Sequence, residues 1–294
     1  MPEDFQNEIH ILFLTDVHEC ASPKQIVDRI RLEIQRKPCD YIFVGGDVSD
    51  IKHTKSLSNE RRQGTVVDDE VYEDRFFQAL SDLRIPVFWI PGNHDSSKAF
   101  LQVDLSPAAT NCHNRLIPLS DHLYILGIGG SCIATDDGGN EVWKAYPSSK
   151  EIGLDQAYQN ATQLTKEDSV ILFTHCPASV VSSSQSQKSF DSPRIYTGSR
   201  QLSSFLHSLL KMTRVPLYIH GHNHVAAGSS LYYYKSMETA VVTPGTFKKN
   251  RVSRIDLVEK DDRWEVRHIE LVTLSVFSVC SQPLYFLCCY TRMD

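Results

Sequence analysis

Short apolar runs alternate with amphipathic segments in the first third of the chain. Three runs have the length and composition of buried strands, at residues 9–15, 41–44 and 85–90. Between them, apolar side chains recur at helical spacing over residues 23–36 and 70–83. This alternation of strand and helix predicts parallel βαβ units with right-handed crossovers.

The rest of the chain carries more strand patterns than helix patterns. Further strands are predicted at residues 123–128, 170–173, 217–219, 240–243, 252–258 and 264–272. Two polar stretches without periodicity, 51–69 and 179–192, are predicted to be surface loops, the second of them mobile. Since no linker divides the chain, a single domain over residues 1–272 is expected, followed by a tail over 273–294.

The C-terminal tail departs from the polar pattern of the domain. Residues 271–290 contain no charged side chain, and their number is close to that needed to cross a bilayer. However, Pro283 and several hydroxyl and amide side chains interrupt the apolar character. The pattern favours a terminal strand and an atypical tail, so membrane association through the tail is the disfavoured alternative.

Charge and cysteine usage restrict the class of protein. The formal net charge of -6 argues against a general nucleic-acid binder, although metal ions can supply local positive charge for a small phosphorylated substrate. The eight cysteines show no CxxC or zinc-finger spacing, and the first ten residues lack the apolar core of a signal peptide. A cytoplasmic protein with reduced thiols is therefore expected.

Metal-ligating residue types follow several of the predicted strands. In chain order they are Asp16 and His18, Asp47, Asn93, His175, and finally His222 and His224. Taken singly, such residues are ordinary turn and helix-cap residues. Because ligands of open α/β sheets bind beyond the carboxyl ends of the strands, the five segments together predict one metal site on one rim.

The residue types indicate the chemistry of that site. Imidazole and carboxylate ligands favour manganese, iron or zinc, and seven candidates are too many for one tetrahedral ion. Two divalent or mixed-valence ions are therefore predicted, with Asp47 as the carboxylate that bridges them. Such a pair, about 3.5–4 Å apart, can hold a phosphoryl group and lower the pKa of a shared water from about 15.7 to about 7. The resulting hydroxide would be the nucleophile.

The motifs DVH, GD, GNHD, H and GHNH, in this order, resemble those of the calcineurin-like metallophosphoesterase superfamily. The resemblance implies an α/β fold, a four-layer αββα sandwich with two mixed sheets flanked by helices. It also implies two ligand sets, Asp16, His18, Asp47 and His224 for one ion, and Asp47, Asn93, His175 and His222 for the other. Finally, it implies that His94 protonates the leaving oxygen and that Asp95 orients His94.

The chemistry of His94 supports its role independently of the resemblance. A leaving alkoxide needs a proton, and histidine is the side chain best suited to donate one near neutral pH. A neighbouring carboxylate could fix the tautomer of the ring. The alternative role for Asp95 is to cap the following helix.

The favoured function is hydrolysis of a phosphodiester or a small phosphorylated metabolite. A phosphoprotein phosphatase is disfavoured because residues 46–52 read GDVSDIK and lack the arginine of the GDxVDRG motif. A nuclease is disfavoured by the acidic charge balance. A non-catalytic interaction scaffold ranks lower still, since His94 and all seven predicted ligands are present.

Overall fold

The computed structural model describes residues 7–50, 71–101, 109–143, 145–147, 153–186 and 194–275. The predicted loop over residues 51–69 lies outside these residues. So do residues 276–294, which make up most of the predicted tail.

The first large sheet contains six strands and begins with the N-terminal strand. They are β1 (Glu8–Leu14), β2 (Tyr41–Val44), β3 (Val87–Trp89), β4 (Ala109–Asn111), β15 (Arg251–Lys260) and β16 (Arg263–Thr273). Their order across the sheet is β16-β15-β1-β2-β3-β4. Strands β1 to β4 are parallel, whereas β15 and β16 run antiparallel to their neighbours. The carboxyl ends of β1, β2 and β3 therefore share one edge.

The second large sheet also has six strands. They are β5 (Leu116–Ser120), β6 (Leu123–Ile128), β9 (Ser169–Thr174), β12 (Arg214–His220), β13 (Gly228–Tyr234) and β14 (Met237–Thr243). Their order is β13-β14-β12-β9-β6-β5, with β6, β9, β12 and β14 parallel. Two edge strands, β13 and β5, are antiparallel to their neighbours.

A small third sheet is built from segments that follow β6 and β9. Its strands are β7 (Ala134–Asp136), β8 (Glu141–Trp143), β10 (Gln185–Ser186) and β11 (Ile195–Tyr196), in the order β10-β11-β7-β8. The sequence predicts a loop over 179–192, and this is wrong for residues 182–186, which form a 3-10 turn and β10.

The two large sheets pack face to face between two layers of helices. Along β1, Ile11 and Phe13 belong to the apolar cluster between the sheets, whereas Leu12 and Leu14 face the outer cluster. Four helices cover the outer faces: α1 (Pro23–Arg36) and α2 (71–81) on the first sheet, α3 (Asp155–Ala161) and α4 (Arg200–Met212) on the second. The predicted αββα sandwich is thus confirmed.

Several predicted elements agree with the structure and others do not. The predicted bounds of α1 and β2 are those observed, and a capping box on Ser22 explains where α1 begins. Strand β3 begins two residues later than predicted, because Pro86 has no amide hydrogen to donate to the sheet, and it ends one residue earlier, at Trp89. Helix α4 was not predicted, although apolar residues recur at helical spacing from Leu202 to Leu210.

The described part of the chain ends just beyond the last strand. After β16, Leu274 is 4% exposed, packs into the outer cluster of the first sheet and donates its backbone N–H to the Asn250 carbonyl. Leu274 therefore belongs to the folded core. Within the described part of the chain, no helix has the length and apolar character needed to cross a membrane.

Candidate metal centre

The structure brings all seven predicted ligand residues to one rim, where the strand ends of the two large sheets meet. Asp16 and His18 follow β1, Asp47 follows β2, and Asn93 lies beyond β3. From the second sheet, His175 follows β9, and His222 and His224 follow β12. Residues far apart in sequence therefore form one polar cluster.

The first group of ligand atoms consists of Asp16, His18, Asp47 and His224, all within 4.8 Å of one another. The Nε2 atom of His224 lies 3.0 Å from Asp16 Oδ1 and 2.9 Å from His18 Nε2. The Nε2 atom of His18 is 3.5 Å from Asp47 Oδ2. This group has the membership implied by the resemblance for one ion.

The second group consists of Asp47, His175 and His222. Asn93 adjoins it, because its Oδ1 atom is 3.1 Å from His175 Nε2. Asp47 belongs to both groups. Its Oδ1 atom accepts the backbone N–H of His94 at 2.7 Å, while Oδ2 lies 3.5 Å from His18 Nε2 and 3.4 Å from His175 Nε2.

The hydrogen bonds of His175 leave a donor set that fits a metal ion. Its Nδ1 atom is 2.7 Å from the Gly45 carbonyl, which can only accept, so Nδ1 carries the hydrogen. In the neutral ring, Nε2 then presents a lone pair towards Asp47 Oδ2 and Asn93 Oδ1. These three atoms, His175 Nε2, Asp47 Oδ2 and Asn93 Oδ1, are all acceptors with no hydrogen between them, which suits a bound cation. A backbone carbonyl that fixes the tautomer of the ring is typical of metal-ligating histidines.

Burial and charge act against each other at this site. Burial opposes ionisation of Asp47, but His175, His94 and His18 together outweigh this effect and hold the Asp47 pKa well below its usual range. Burial likewise disfavours charge on His175, but the Asp47 and Asp16 carboxylates raise its pKa to about 9. Two fully buried carboxylates thus demand positive charge close by, from protons or from metal ions.

The backbone is held in an unusual conformation at four of the seven residues. Asp16, His18, Asp47 and His222 have φ angles of +55°, +48°, +52° and +66°. Left-handed backbone costs about 1–3 kcal/mol at a residue other than glycine, and it clusters at functional sites. The turns after β1, β2 and β12 are therefore shaped to aim side chains, at a cost in stability.

His94 lies at the exposed side of the cluster. Its side chain is 33% exposed, and its ring lies 5.0 Å from that of His18. The carboxylate that faces His94 Nδ1 is that of Asp50, at 3.6 Å, and the same Asp50 oxygen is 3.3 Å from His18 Nδ1. Asp50 was not predicted as a site residue, although its place three residues after Asp47 on the same turn was an available signal.

Asp95 has a different set of partners from the predicted one. Its buried carboxylate accepts hydrogen bonds from the backbone amides of Asp47, Val48, Ser49 and Gly92, at 2.7–3.0 Å. Asp95 therefore joins the turns after β2 and β3. That it orients His94 stays a prediction, and the geometry favours Asp50 for that role.

Comparisons with known proteins agree with this description. The chain belongs to the calcineurin-like phosphoesterase family, whose model matches residues 9–226. No curated protein sequence matches the chain. One crystal structure, 17% identical, covers 92% of this chain and 100% of its own, with a TM-score of 0.62. The predicted family and fold are thereby confirmed.

Two further structures are similar at a TM-score of 0.46. One is GAP50, the anchor in the inner membrane complex of Plasmodium, which is 14% identical and covers 92% of this chain and 90% of its own. The other is the calcineurin-like phosphoesterase YfkN from Bacillus subtilis, which is 13% identical and covers 94% of this chain and 92% of its own.

Proposed function

We propose that the chain is a phosphoester hydrolase that depends on two metal ions and acts on a phosphodiester or a small phosphorylated metabolite. The observation that carries the proposal is the position of Asp47. One carboxylate oxygen lies 3.5 Å from His18 and 3.4 Å from His175, so it faces both ligand groups. A carboxylate shared in this way suits a pair of ions.

The two spatial groups of ligand atoms give a proposed ligand set for each ion. Asp16, His18, Asp47 and His224 would hold one ion, and Asp47, Asn93, His175 and His222 the other, with manganese, iron or zinc as the candidates. When bound, the ions would supply positive charge for the phosphoryl oxygens and a water whose pKa is near 7. No serine or cysteine nucleophile is required.

His94 would donate the proton to the leaving oxygen. Its side chain is partly exposed at the edge of the ligand groups, where a substrate can reach it. Asp50 faces Nδ1, which leaves Nε2 to carry the transferable proton. A carboxylate in this position also stabilises the imidazolium form before transfer.

The substrate class follows from charge and from what the chain lacks. A net charge of -6 favours a small phosphorylated substrate over nucleic acid, and residues 46–52 lack the arginine of the phosphoprotein phosphatase motif. Within the described residues, all five cysteines are free, in keeping with a cytoplasmic protein.

The test combines metal analysis with a substrate screen. Purified protein is supplied with manganese, iron and zinc, or magnesium, and assayed on phosphomonoesters and phosphodiesters, bis-p-nitrophenyl phosphate included. We expect two ions per chain and hydrolysis. Asp47→Asn should lose both ions and nearly all activity, whereas Asp28→Asn, on the exposed surface of α1, should lose neither.

Two results would contradict the proposal. Full metal occupancy in Asp47→Asn would exclude the shared carboxylate. Two bound ions without hydrolysis of any ester would instead favour a non-catalytic scaffold on the same fold.

A further inference from the structure

A carboxyl group lies inside the protein behind the metal centre. Glu73, on α2, is 1% exposed. Its Oε1 atom accepts the Ser49 hydroxyl at 2.8 Å and the Ser96 backbone N–H at 2.7 Å, while Oε2 is 2.7 Å from the Ser96 hydroxyl. Burial and the Asp95 carboxylate raise the pKa of Glu73 to about 8, which favours the neutral acid at neutral pH, and these contacts satisfy both oxygens.

Glu73 joins the two turns that carry the proposed acid and its carboxylate partner. Ser49 precedes Asp50, and Ser96 lies two residues after His94. The Ser49 hydroxyl is also 2.9 Å from the His94 carbonyl, so it links the turn of Asp50 directly to the turn of His94. These turns lie more than 40 residues apart in sequence, so tertiary contacts must align them.

Asp95 and Glu73 both contact Ser49 but otherwise hold different parts of these turns. Asp95 accepts the backbone amides of Asp47, Val48, Ser49 and Gly92, and so joins the parts of the two turns that bear the metal ligands. Glu73 contacts Ser49 and Ser96, on the side that bears Asp50 and His94. Removing Glu73 should therefore loosen the acid pair while Asp95 keeps the ligand turns in place.

We infer that Glu73 is a positioning residue that holds Asp50 and His94 in register for proton donation. The inference rests on the proposed function, because it assigns Glu73 to the acid of that reaction. A displacement of the acid by about 1 Å can cost up to about 100-fold in rate.

The kinetic test compares two leaving groups in Glu73→Ala. With an alkyl phosphodiester, which needs the proton, kcat should fall about 10- to 100-fold at nearly unchanged KM. With a nitrophenyl ester, whose leaving group is already a good anion, the loss should be much smaller. Both ions should remain bound, as measured by metal analysis.

Glu73→Gln provides the conservative variant. Its amide oxygen can accept from Ser49 and Ser96, and its NH₂ group can donate to the Ser96 hydroxyl. It should therefore recover most of the wild-type rate on the alkyl ester. If Glu73→Ala does not fold, Ser49→Ala removes the hydroxyl that links Glu73 to the Asp50 turn and should show the same selective loss.

Two matched controls separate positioning from general destabilisation. Glu33 on α1 is also a buried carboxylate, paired with Arg254 at 2.7 Å, so Glu33→Ala should lower stability without any preference between leaving groups. Asp74 is the exposed neighbour of Glu73 on the same helix, and Asp74→Ala should leave both rates unchanged.

Equal losses on both esters, loss of the ions, or failure of Glu73→Gln to recover would overturn the inference. A crystal structure of Glu73→Ala gives a readout that does not depend on activity. The separation of 3.6 Å between His94 Nδ1 and Asp50 Oδ1 should widen, and an unchanged separation would count against the inference. If wild-type protein hydrolyses no ester, the proposed function fails, and that structure still decides the positioning.

Discussion

At the scale of single residues, three of the proposed ligands are oriented by hydrogen bonds that their other atoms make. The backbone N–H of His94 occupies Asp47 Oδ1 and leaves Oδ2 to face both ligand groups. The Gly45 carbonyl fixes the tautomer of His175, and Thr15 donates its hydroxyl to Asp16 Oδ2 at 2.8 Å. Metal sites depend on such outer bonds, whose loss typically lowers metal affinity 10- to 100-fold.

The role of His94 can be tested by removing its ring. His94→Ala should keep both metal ions, because the backbone N–H that residue 94 donates to Asp47 is retained in the variant. Its kcat should fall about 10²–10⁴-fold, as for the loss of a general acid. The loss should be smaller for esters with good leaving groups, which can be measured by comparing alkyl and nitrophenyl phosphodiesters. An equal loss on both would argue against proton donation by His94.

At the scale of elements, the turns after the strands shape the site. Three of these turns contain residues with left-handed backbone. The turn after β12 is also hydrogen-bonded to a segment outside its own sheet. Asn223, between His222 and His224, donates its amide to the Ser183 and Gln185 carbonyls at 2.7 and 2.9 Å. The small sheet is thereby tied, through the start of β10, to the turn that carries two ligands.

The turn after β3 depends on a glycine for close approach. A Cβ atom on Gly92 would lie 2.1 Å from Asp47 Oδ1 and 2.7 Å from His175 Cε1. Gly92→Ala should therefore displace a ligand of each group, weaken metal binding and destabilise the fold by about 1–3 kcal/mol. The measurements are metal titration and thermal unfolding.

Gly153→Ala is the matched control, because a Cβ at that exposed glycine would meet nothing within 4 Å. Wild-type metal affinity in Gly92→Ala would show that the turn can move to accommodate a Cβ atom. The close approach of Gly92 to Asp47 and His175 would then not be needed for the site.

At the scale of the whole molecule, the metal centre joins the two halves of the sandwich. Four ligand residues come from the first sheet, and His175, His222 and His224 come from the second. Bound ions would therefore hold the two sheets together at the rim. Ligand binding to the folded state alone stabilises it by about 2.7 kcal/mol at a ligand concentration 100 times the dissociation constant.

The stability of the metal-free protein should depend on pH through His175. Its pKa is raised to about 9, because the Asp47 and Asp16 carboxylates outweigh burial, whereas an unfolded histidine titrates near 6.5. The stabilisation is therefore complete below pH 6.5 and is lost as the pH rises through about 9, by about 3 kcal/mol.

Thermal unfolding over pH 6.5 to 9, with and without excess metal, provides the measurement. The metal-free midpoint should fall across this range. The metal-bound midpoint should fall less, because deprotonated histidine binds metal more tightly. Thiols that ionise on unfolding lower both curves alike, so parallel curves would contradict the prediction.

The C-terminal boundary is a second property of the whole molecule. We predict that the chain shortened after Ser275 stays folded, binds two ions and remains active, because Leu274 is the last buried residue of the described core. Shortening after Thr273 removes the buried Leu274 and should cost about 1.5–3 kcal/mol in the free energy of unfolding.

Metal analysis, activity and thermal unfolding of both shortened chains test the prediction. If the chain ending at Ser275 cannot fold, the tail belongs to the core. If only the full-length chain sediments with membranes, the tail is an anchor.

The sequence alone determined most of the strands and the candidate metal ligands, and the resemblance to a known family implied the layers of the fold. The nearly continuous apolar run of β1 specifies a strand that is buried on both faces, and the strand ends then place Asp16, Asp47 and His175 on one rim. These features are local and repeat along the chain, so they can be read without knowing which elements are neighbours.

Only the tertiary structure decided how the rim is held together. Asp50 facing His94, Asp95 bound to backbone amides and Glu73 joining two turns all involve residues from different turns, or a helix that packs behind them. Likewise, β7 follows β6 and β11 follows β9 along the chain. Because β6 and β9 are neighbours in the second sheet, the segments that follow them lie close enough for β7 and β11 to pair. Such contacts depend on distances in space, which neither hydrophobic periodicity nor motif spacing contains.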